Sequence, residues 1–220
     1  MRALLVVAIA LLLGGCGGGT ATVTVTEPAP AQAPATAAPA VPDVRSTITI
    51  TTPPRTGDGS RSLVMIGDSL AVATAIDLPV ALPDHVVVTD AQGGRVTGLG
   101  LQAFRNLTDP VSVLAFSLFT NDDPSNVAGF EAAVRETVDR GLAPCVVWAT
   151  IHSPGGDFSA VNDELHALAG EYGAKLQVVE WAQMVDDDPS LLAADGLHPS
   201  PAGALARARA YADAVKRCPA

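Results

Sequence analysis

The chain has 220 residues, 48% of them hydrophobic and 4% aromatic, and a formal net charge of −10 at pH 7. This length allows one domain with an ordinary hydrophobic core once the chain ends are set aside. The negative charge argues against nucleic-acid binding, which requires clustered Lys and Arg, and gives no preference for anionic lipid.

The first residues have the pattern of a secretory signal peptide. Arg2 supplies a positive charge, and the apolar run over residues 3–13 is too short to span a bilayer comfortably. The run ends in Leu13-Gly14-Gly15-Cys16, which resembles the lipobox of bacterial lipoproteins, where cleavage occurs before the cysteine. We therefore expect a lipoprotein signal peptide over residues 1–15 and a lipid anchor on Cys16.

This interpretation places the protein at the extracytoplasmic face of the cell membrane, held there by lipid. The alternative is an ordinary signal peptide, an incidental Cys16 and a secreted product. Residues 16–60 are rich in Thr, Ala and Pro and poor in large apolar side chains, so they predict a disordered linker. Two threonine runs, 22–26 and 47–50, alternate like strands, but no pairing partner is evident and we expect disorder there too.

Residues 61–220 form the predicted folded domain, in which short apolar runs alternate with segments of helical periodicity. The predicted strands cover residues 63–66, 86–89, 111–117, 145–149 and 176–181. One predicted helix starts near Val127 and ends before Gly141, and a second covers residues 159–172.

The last predicted helix has Ser200 as its N-cap and Pro201 in its first turn. Its expected inner face is formed by Leu205, Ala208, Ala212 and Val215. Alternating strands and helices predict an α/β fold with a parallel sheet covered on both faces, a three-layer α/β/α sandwich. In such folds, sites lie at the carboxyl ends of the strands.

Ser69 follows the first apolar strand in the sequence Gly67-Asp68-Ser69-Leu70, and Asp195-Gly196-Leu197-His198 follows the last strand. These residues supply a nucleophile, a general base and a carboxylate that orients the base, as acyl transfer requires. We therefore predict Ser69, His198 and Asp195 as the catalytic residues.

These motifs resemble those of the SGNH hydrolases, also called GDSL esterases or lipases. Phe119-Thr120-Asn121-Asp122 resembles a third block of that family, although Phe119 stands at its usual glycine, and Gly93-Gly94 lies where the second block is expected. The resemblance implies a flavodoxin-like, five-stranded parallel sheet. It also implies an oxyanion hole formed by the N–H groups of Ser69 and Gly94 and the side-chain amide of Asn121, with Gly93 as the alternative to Gly94.

The resemblance implies an ester hydrolase that requires no cofactor, and we see no ligand set for a metal. We expect Phe119 to line the acyl pocket and His152 to contact substrate; the alternative for His152 is an exposed loop histidine. Short loops predict a shallow site that favours short acyl groups, carried by small molecules or glycans. O-acyl transfer to envelope glycans from the same site and a non-catalytic binding lipoprotein are the alternatives. We expect a monomer.

Two further cysteines remain: Cys145 begins the predicted strand over residues 145–149, and Cys218 follows the last helix. In a parallel α/β domain both positions lie at the edge opposite the active site. A disulfide between them and a pair of free thiols are both compatible with the sequence.

Overall fold

The structure is a computed structural model that describes residues 61–219 and the backbone of two short strands nearer the N-terminus. The predicted signal peptide over residues 1–15, the predicted lipidation site Cys16 and most of the predicted linker lie outside the described residues.

Seven strands form one sheet in the order β1-β2-β4-β3-β5-β6-β7. The five strands from β3 to β7 pair in parallel, which confirms the predicted parallel sheet and gives it the flavodoxin-like order. The strands are β1 (Val23–Val25), β2 (Thr47–Thr52), β3 (Arg61–Gly67), β4 (His85–Gln92), β5 (Val113–Ser117), β6 (Val146–Ala149) and β7 (Leu176–Val179).

The first two strands correct the prediction of disorder for their segments. β2 pairs antiparallel with β4, from Thr47 opposite Gln92 to Thr52 opposite Val87, and β1 pairs antiparallel with β2. The outer edge of β4 would otherwise present unpaired N–H and C=O groups, which an alternating Thr and Ile segment is suited to satisfy. The partner is distant in sequence, so the local pattern alone did not reveal it.

Helices cover both faces of the sheet, as predicted. Side chains of α1, α2, α6 and α7 pack into the core on one face, and those of α3, α4 and α5 into the core on the other. The helices are α1 (Ser69–Thr74), α2 (Leu78–Ala81), α3 (Thr97–Arg105), α4 (Val127–Asp139), α5 (Ser159–Tyr172), α6 (Trp181–Asp187) and α7 (Pro201–Lys216). Among the residues that the structure describes, none of the helices combines the length and the apolar character that a membrane span requires.

The end of the last strand and the inner face of the last helix differ from the prediction. The last strand ends at Val179, and Trp181 begins α6 rather than continuing the strand. On α7, Leu205 is only half-buried, while Arg207 and Tyr211 are buried with the predicted alanines and valine. The Tyr211 hydroxyl donates to the carbonyl oxygen of Phe116 at 2.8 Å, which turns this side of the helix towards the sheet.

The structure joins Cys145 and Cys218 by a disulfide, with their Cα atoms 5.6 Å apart. Cys145 directly precedes β6, and Cys218 follows α7. The bridge therefore ties the end of the chain to the amino edge of the sheet, away from the carboxyl ends of the parallel strands. Its loop spans 73 residues, so on the chain-entropy model it stabilises the fold by about 4 kcal/mol at most.

Replacing both cysteines, Cys145→Ala with Cys218→Ala, is expected to lower the free energy of unfolding by up to about 4 kcal/mol. The arrangement of side chains at the opposite edge of the sheet should persist. Urea unfolding of the oxidised protein, the reduced protein and the double variant measures the effect. Equal stability of all three would show that the bridge does not constrain the unfolded chain.

Candidate active site

The candidate nucleophile lies at a tight junction between β3 and α1. Gly67 ends the strand, and a Cβ at this position would overlap the Ala71 side chain and come within 3.0 Å of the Ser117 carbonyl oxygen. Asp68 N–H donates to that same carbonyl oxygen at 2.9 Å. Glycine is therefore required here, because it lets the junction press against the end of β5.

Asp68 holds the start of α1. Its Oδ1 accepts a hydrogen bond from the N–H of Leu70 at 2.9 Å, so the side chain caps the helix that Ser69 begins. Asp68 is completely buried, and burial raises the pKa of its carboxyl, whereas the Leu70 N–H and the nearby charge of Arg207 act to lower it. The residue before the nucleophile is thus an unusual buried acid.

The structure brings together the three predicted catalytic residues. His198 Nε2 lies 3.0 Å from Ser69 Oγ, across a sequence separation of 129 residues. His198 Nδ1 lies 2.7 Å from Asp195 Oδ2. The nucleophile contacts the imidazole and the imidazole contacts the carboxylate, which is the geometry that general-base activation requires.

Asp195 is oriented by the backbone of its own loop. Its Oδ1 accepts from the N–H groups of Leu197 and His198, each at 3.0 Å, and Gly196 turns the loop with a φ of 69°. The hydrogen bond to His198, followed by these backbone donors, lowers the pKa of Asp195 to about 2. The carboxylate therefore stays ionised through the weakly acidic and neutral range.

The loop that carries His198 is fixed at both ends. Ala193 N–H donates to the His198 carbonyl oxygen, and Ser200 N–H donates to that of Leu191, both at 2.8 Å. Ser200 also caps α7 by accepting from the Gly203 N–H. A Cβ on Gly203 would overlap the Leu191 carbonyl oxygen, so glycine allows α7 to start directly beneath the loop.

The predicted oxyanion-hole residues lie on neighbouring loops. Gly94 is exposed in the turn after β4, with a φ of 69° that glycine adopts without strain. The Asn121 amide lies 3.2 Å from the Arg95 carbonyl oxygen and 3.5 Å from Asp68 Oδ2. To bind an oxyanion, Asn121 must give up one of these contacts, and the longer one to Asp68 is the weaker.

Hydrogen bonds and an ion pair hold these loops in place. The Asp122 carboxylate accepts from both the N–H and the hydroxyl of Thr97, each at 2.9 Å, so it links the loop after β5 to the start of α3. The buried guanidinium of Arg95 pairs with Asp90 at 2.6 Å.

Within the described residues, no group of three or more His, Cys, Asp or Glu side chains is arranged to hold a metal ion.

Phe119 does not line an open pocket, which corrects the prediction that it contacts the acyl group. Its side chain is 2% exposed and packs edge-on against Phe130, with ring centroids 4.9 Å apart. Its φ is 80°, in the left-handed region that glycine favours and a bulky residue rarely adopts. This backbone requirement accounts for the glycine usual at this position in the family it resembles. Here, core packing of the aromatic ring offsets the strain.

His152 lies beside the loop of the candidate base. Its Nε2 is 3.2 Å from the carbonyl oxygen of Gly196, and its Nδ1 is 3.9 Å from a carboxylate oxygen of Asp186. It borders an open cavity of about 230 Å³ between the loop after β6 and α6. The cavity is lined by polar side chains and a few apolar ones: His152, Ser153, Asp157, Ser159, Asn162, Asp186, Ile151, Phe158, Gly156 and Ala182.

A buried polar group behind the nucleophile was not predicted. Arg207 donates to the hydroxyls of Ser117 and Thr74, at 3.0 and 3.3 Å. Helical spacing does indicate its position, since Arg207 precedes the buried Tyr211 by one turn and so lies on the same face of α7. An arginine in that register usually lies at a surface, however, and the sequence carries no indication of its distant partners.

The sequence matches no protein-family model and no curated protein. Solved structures do resemble the chain. The C-terminal catalytic domain of the peptidoglycan O-acetyltransferase OatA from Streptococcus pneumoniae is 19% identical, with a TM-score of 0.51; the match covers 73% of this chain and 92% of that one.

Two other structures are similar in the same way. A putative SGNH hydrolase from Slackia heliotrinireducens is 20% identical, with a TM-score of 0.54, over 71% of this chain and 99% of that chain. An acetyl xylan esterase variant from Geobacillus stearothermophilus is 18% identical, with a TM-score of 0.58, over 74% and 98%. The five-stranded parallel sheet with its flanking helices, matched over nearly the whole length of these structures, shows that the chain has the SGNH hydrolase fold.

Proposed function

We propose that the protein is a serine ester hydrolase of the SGNH type. The observation that carries the proposal is the pair of contacts made by His198, at 3.0 Å to Ser69 Oγ and 2.7 Å to Asp195 Oδ2. These contacts lie at the carboxyl edge of a parallel sheet, where such folds place their sites. The resemblance to SGNH hydrolases in fold supports the same reaction class.

In the proposed reaction, the Ser69 hydroxyl attacks the ester carbonyl carbon as His198 Nε2 removes its proton. The resulting imidazolium returns the proton to the leaving alcohol, which leaves an acyl group on Ser69. Water, deprotonated by the same nitrogen, then attacks the acyl carbon; the bond to Ser69 Oγ breaks, the imidazolium returns the proton to Oγ, and the carboxylic acid leaves. With the hydrogen of the neutral imidazole on Nδ1, the 2.7 Å contact to Asp195 fixes the tautomer in which Nε2 accepts.

The oxyanion is expected to form near the start of α1. The N–H of Ser69 belongs to the first turn of this helix, where backbone N–H groups lack intrahelical acceptors. Gly94 and Asn121 would supply the other donors, and each such donor contributes on the order of 100-fold in rate in other hydrolases. Asn121 would exchange its long contact to Asp68 for the oxyanion.

The lining of the cavity beside His152 supports the proposal that the substrate is rich in hydroxyl groups. It has two carboxylates in its lining, Asp157 and Asp186. Hydrogen bonds from the Ser159 backbone and side chain lower the pKa of Asp157, so this carboxylate is ionised and accepts hydrogen bonds. Because His152 contacts the loop of His198, the cavity would receive the alcohol part of the ester. Neutral sugar esters fit this lining, and acidic sugars would be repelled.

Acyl transfer to a sugar hydroxyl is the second candidate function. The fold resembles that of a peptidoglycan O-acetyltransferase catalytic domain, and an acceptor sugar could occupy the same polar cavity. Two of the similar structures are a peptidoglycan O-acetyltransferase and an acetyl xylan esterase, which supports a short acyl group in either reaction. Analysis of products with an added glycan acceptor separates transfer from hydrolysis.

We also propose that the domain works outside the cell membrane on a lipid anchor at Cys16. The lipobox-like sequence before Cys16 and the apolar run that precedes it support this location. The disulfide within the domain is in keeping with an oxidising compartment. Envelope glycans bearing acyl esters are substrates that such a protein could reach.

Removing the nucleophile tests the reaction. Ser69→Ala is expected to lower kcat for acetyl esters by several orders of magnitude, because no other group forms the acyl-enzyme. Hydrolysis of nitrophenyl esters from acetate to octanoate is measured, with acetate expected to react fastest. Ser62→Ala is the matched control, since Ser62 lies at the opposite end of β3. Equal inactivity of wild type and Ser69→Ala across this series, with no labelling of Ser69 by a fluorophosphonate, would favour a binding protein.

Charge selectivity tests the cavity. Asp186→Asn is expected to lower KM several-fold for an acetylated uronic acid while leaving KM for a neutral acetylated sugar nearly unchanged, since only the acidic sugar is repelled. Asp187→Asn is the matched control, because Asp187 lies on the same helix outside the cavity lining and accepts from Gln183. An equal change for both substrates, or the same change in the control, would contradict this assignment.

Substitution of the predicted lipidation site tests the location. Cys16→Ser is expected to move the protein from the membrane fraction to a soluble fraction of the producing cells, because the lipid chains are lost. Membrane fractionation and labelling with a radioactive fatty acid measure the change. Gly18→Ser serves as the control that leaves the cysteine in place. Unchanged membrane association of Cys16→Ser would refute the anchor.

A further inference from the structure

A fully buried cation lies directly behind the candidate nucleophile. Arg207 is 1% exposed, and its guanidinium lies over the rings of Trp181 and Tyr211, at 5.4 and 5.2 Å from their centroids. It donates to Ser117 Oγ at 3.0 Å and to Thr74 Oγ1 at 3.3 Å. Among the described residues, no carboxylate lies within ion-pair distance of it. An arginine cannot lose its proton in a protein, so its charge requires a nearby anion.

The acidic side chain closest in this network is Asp68. The Ser117 hydroxyl, which accepts from Arg207, lies 3.5 Å from Asp68 Oδ1 and can donate to it. Asp68 is completely buried as well, and the charge of Arg207 lowers its pKa against the larger effect of burial. The buried guanidinium and the buried carboxyl are therefore coupled through one serine hydroxyl.

Asp68 transmits this arrangement to the site in two ways. Its Oδ1 accepts from the Leu70 N–H at 2.9 Å and so fixes the first turn of α1, which Ser69 begins. Its Oδ2 lies 3.5 Å from the Asn121 amide, the predicted oxyanion donor. The charge state of Asp68 thus bears on the backbone of the nucleophile and on the orientation of the donor.

We propose that Arg207 is a positioning residue for the nucleophile: its buried guanidinium, through the Ser117 hydroxyl, orients the Asp68 carboxyl and opposes its protonation, and that carboxyl holds Ser69 and Asn121 in place. The effect on activity rests on the proposed function, whereas the coupling of the two charges does not. Arg207 touches neither Ser69 nor His198 through any hydrogen bond of the described residues, so it acts only through the side chains between them.

The charged and titratable side chains around Asp68 decide which groups can contribute to a pH dependence. Arg207 is permanently charged, and burial raises the pKa of Tyr211, whose hydroxyl stays neutral and donates to the Phe116 carbonyl oxygen. The other neighbours are Ser117, Thr120 and Asn121, which do not ionise. Among these groups Asp68 is therefore the one carboxyl, and its protonation is what a pH series on the protein would report.

The sign of the pH dependence follows from the raised pKa of Asp68. A carboxyl whose pKa is higher in the folded state than in the unfolded state favours folding while it is protonated. That contribution is lost as pH rises through the folded-state value. Removing the compensating cation raises the folded-state pKa further, so stability should fall over a wider pH range.

The test uses the full chain with three variants: Arg207→Met, Arg207→Lys and the double variant Asp68→Asn/Arg207→Met. Asparagine can still cap α1 through its side-chain oxygen but carries no charge. Urea unfolding between about pH 4 and about pH 9 measures stability, and kcat for an acetyl ester is measured over the same range.

We expect the stability of Arg207→Met to fall more steeply with rising pH than that of the wild type, and its kcat to be lower by about tenfold or more at neutral pH. Arg207→Lys should restore the wild-type pH profiles of stability and kcat. The double variant should show no such slope and should be more stable at neutral pH than Arg207→Met, because no unpaired buried charge remains.

A loss of stability that is independent of pH and equal in Arg207→Met and the double variant would show that Arg207 only fills space, and would overturn the proposal. If Arg207→Met does not fold, folding of the double variant supports the coupling and failure of both overturns it. If the wild type is inactive on every ester, the proposed reaction fails, but the urea series still decides whether Asp68 and Arg207 are coupled.

Discussion

The contact between Ser69 and His198 depends on how the last helix docks against the end of β5. Phe116 and Ser117 pair with Ile66 and Gly67 of the strand that leads to the nucleophile. The same two residues receive α7, since the Phe116 carbonyl oxygen accepts from Tyr211 and the Ser117 hydroxyl from Arg207. Two residues thus fix both the strand before Ser69 and the helix after His198. The 3.0 Å contact between residues 129 apart follows from this shared attachment.

Two glycines, Gly67 and Gly203, allow the backbone segments around the candidate site to approach each other closely. Gly67 lets the strand end press against Ser117, and Gly203 lets α7 begin against the Leu191 carbonyl oxygen. A methyl group at Gly67 would overlap the Ala71 side chain, and one at Gly203 would overlap the Leu191 carbonyl oxygen, so either would displace a segment that leads to a triad residue. Since proton transfer is sensitive to displacements of about 1 Å, these backbone contacts bear on the chemistry as directly as the triad itself.

The sequence predicted those parts of the molecule that local pattern determines. The five parallel strands are short apolar runs, and the serine cap with proline at the start of α7 is a local signal, so both were found. The Ser69, Asp195 and His198 assignments relied on strand order, which places the ends of distant strands at one edge. Residues whose role depends on a partner far along the chain were not predicted. The Thr-rich strands, the buried side of α7 at Arg207 and the core position of Phe119 are of this kind.

The buried charges have a physical cost that an apolar core would avoid. Replacing buried charged groups with well-packed apolar side chains is often neutral or stabilising, so the presence of Arg207 and Asp68 is not explained by stability alone. Apolar contacts are non-directional and tolerate sliding, whereas hydrogen bonds from a planar guanidinium constrain distance and angle. The Asp68–Ser117–Arg207 relay lies where the nucleophile's helix, β5 and α7 meet. At that junction directional bonds set the position of Ser69 relative to its base, and this is a constraint that packing by itself does not impose.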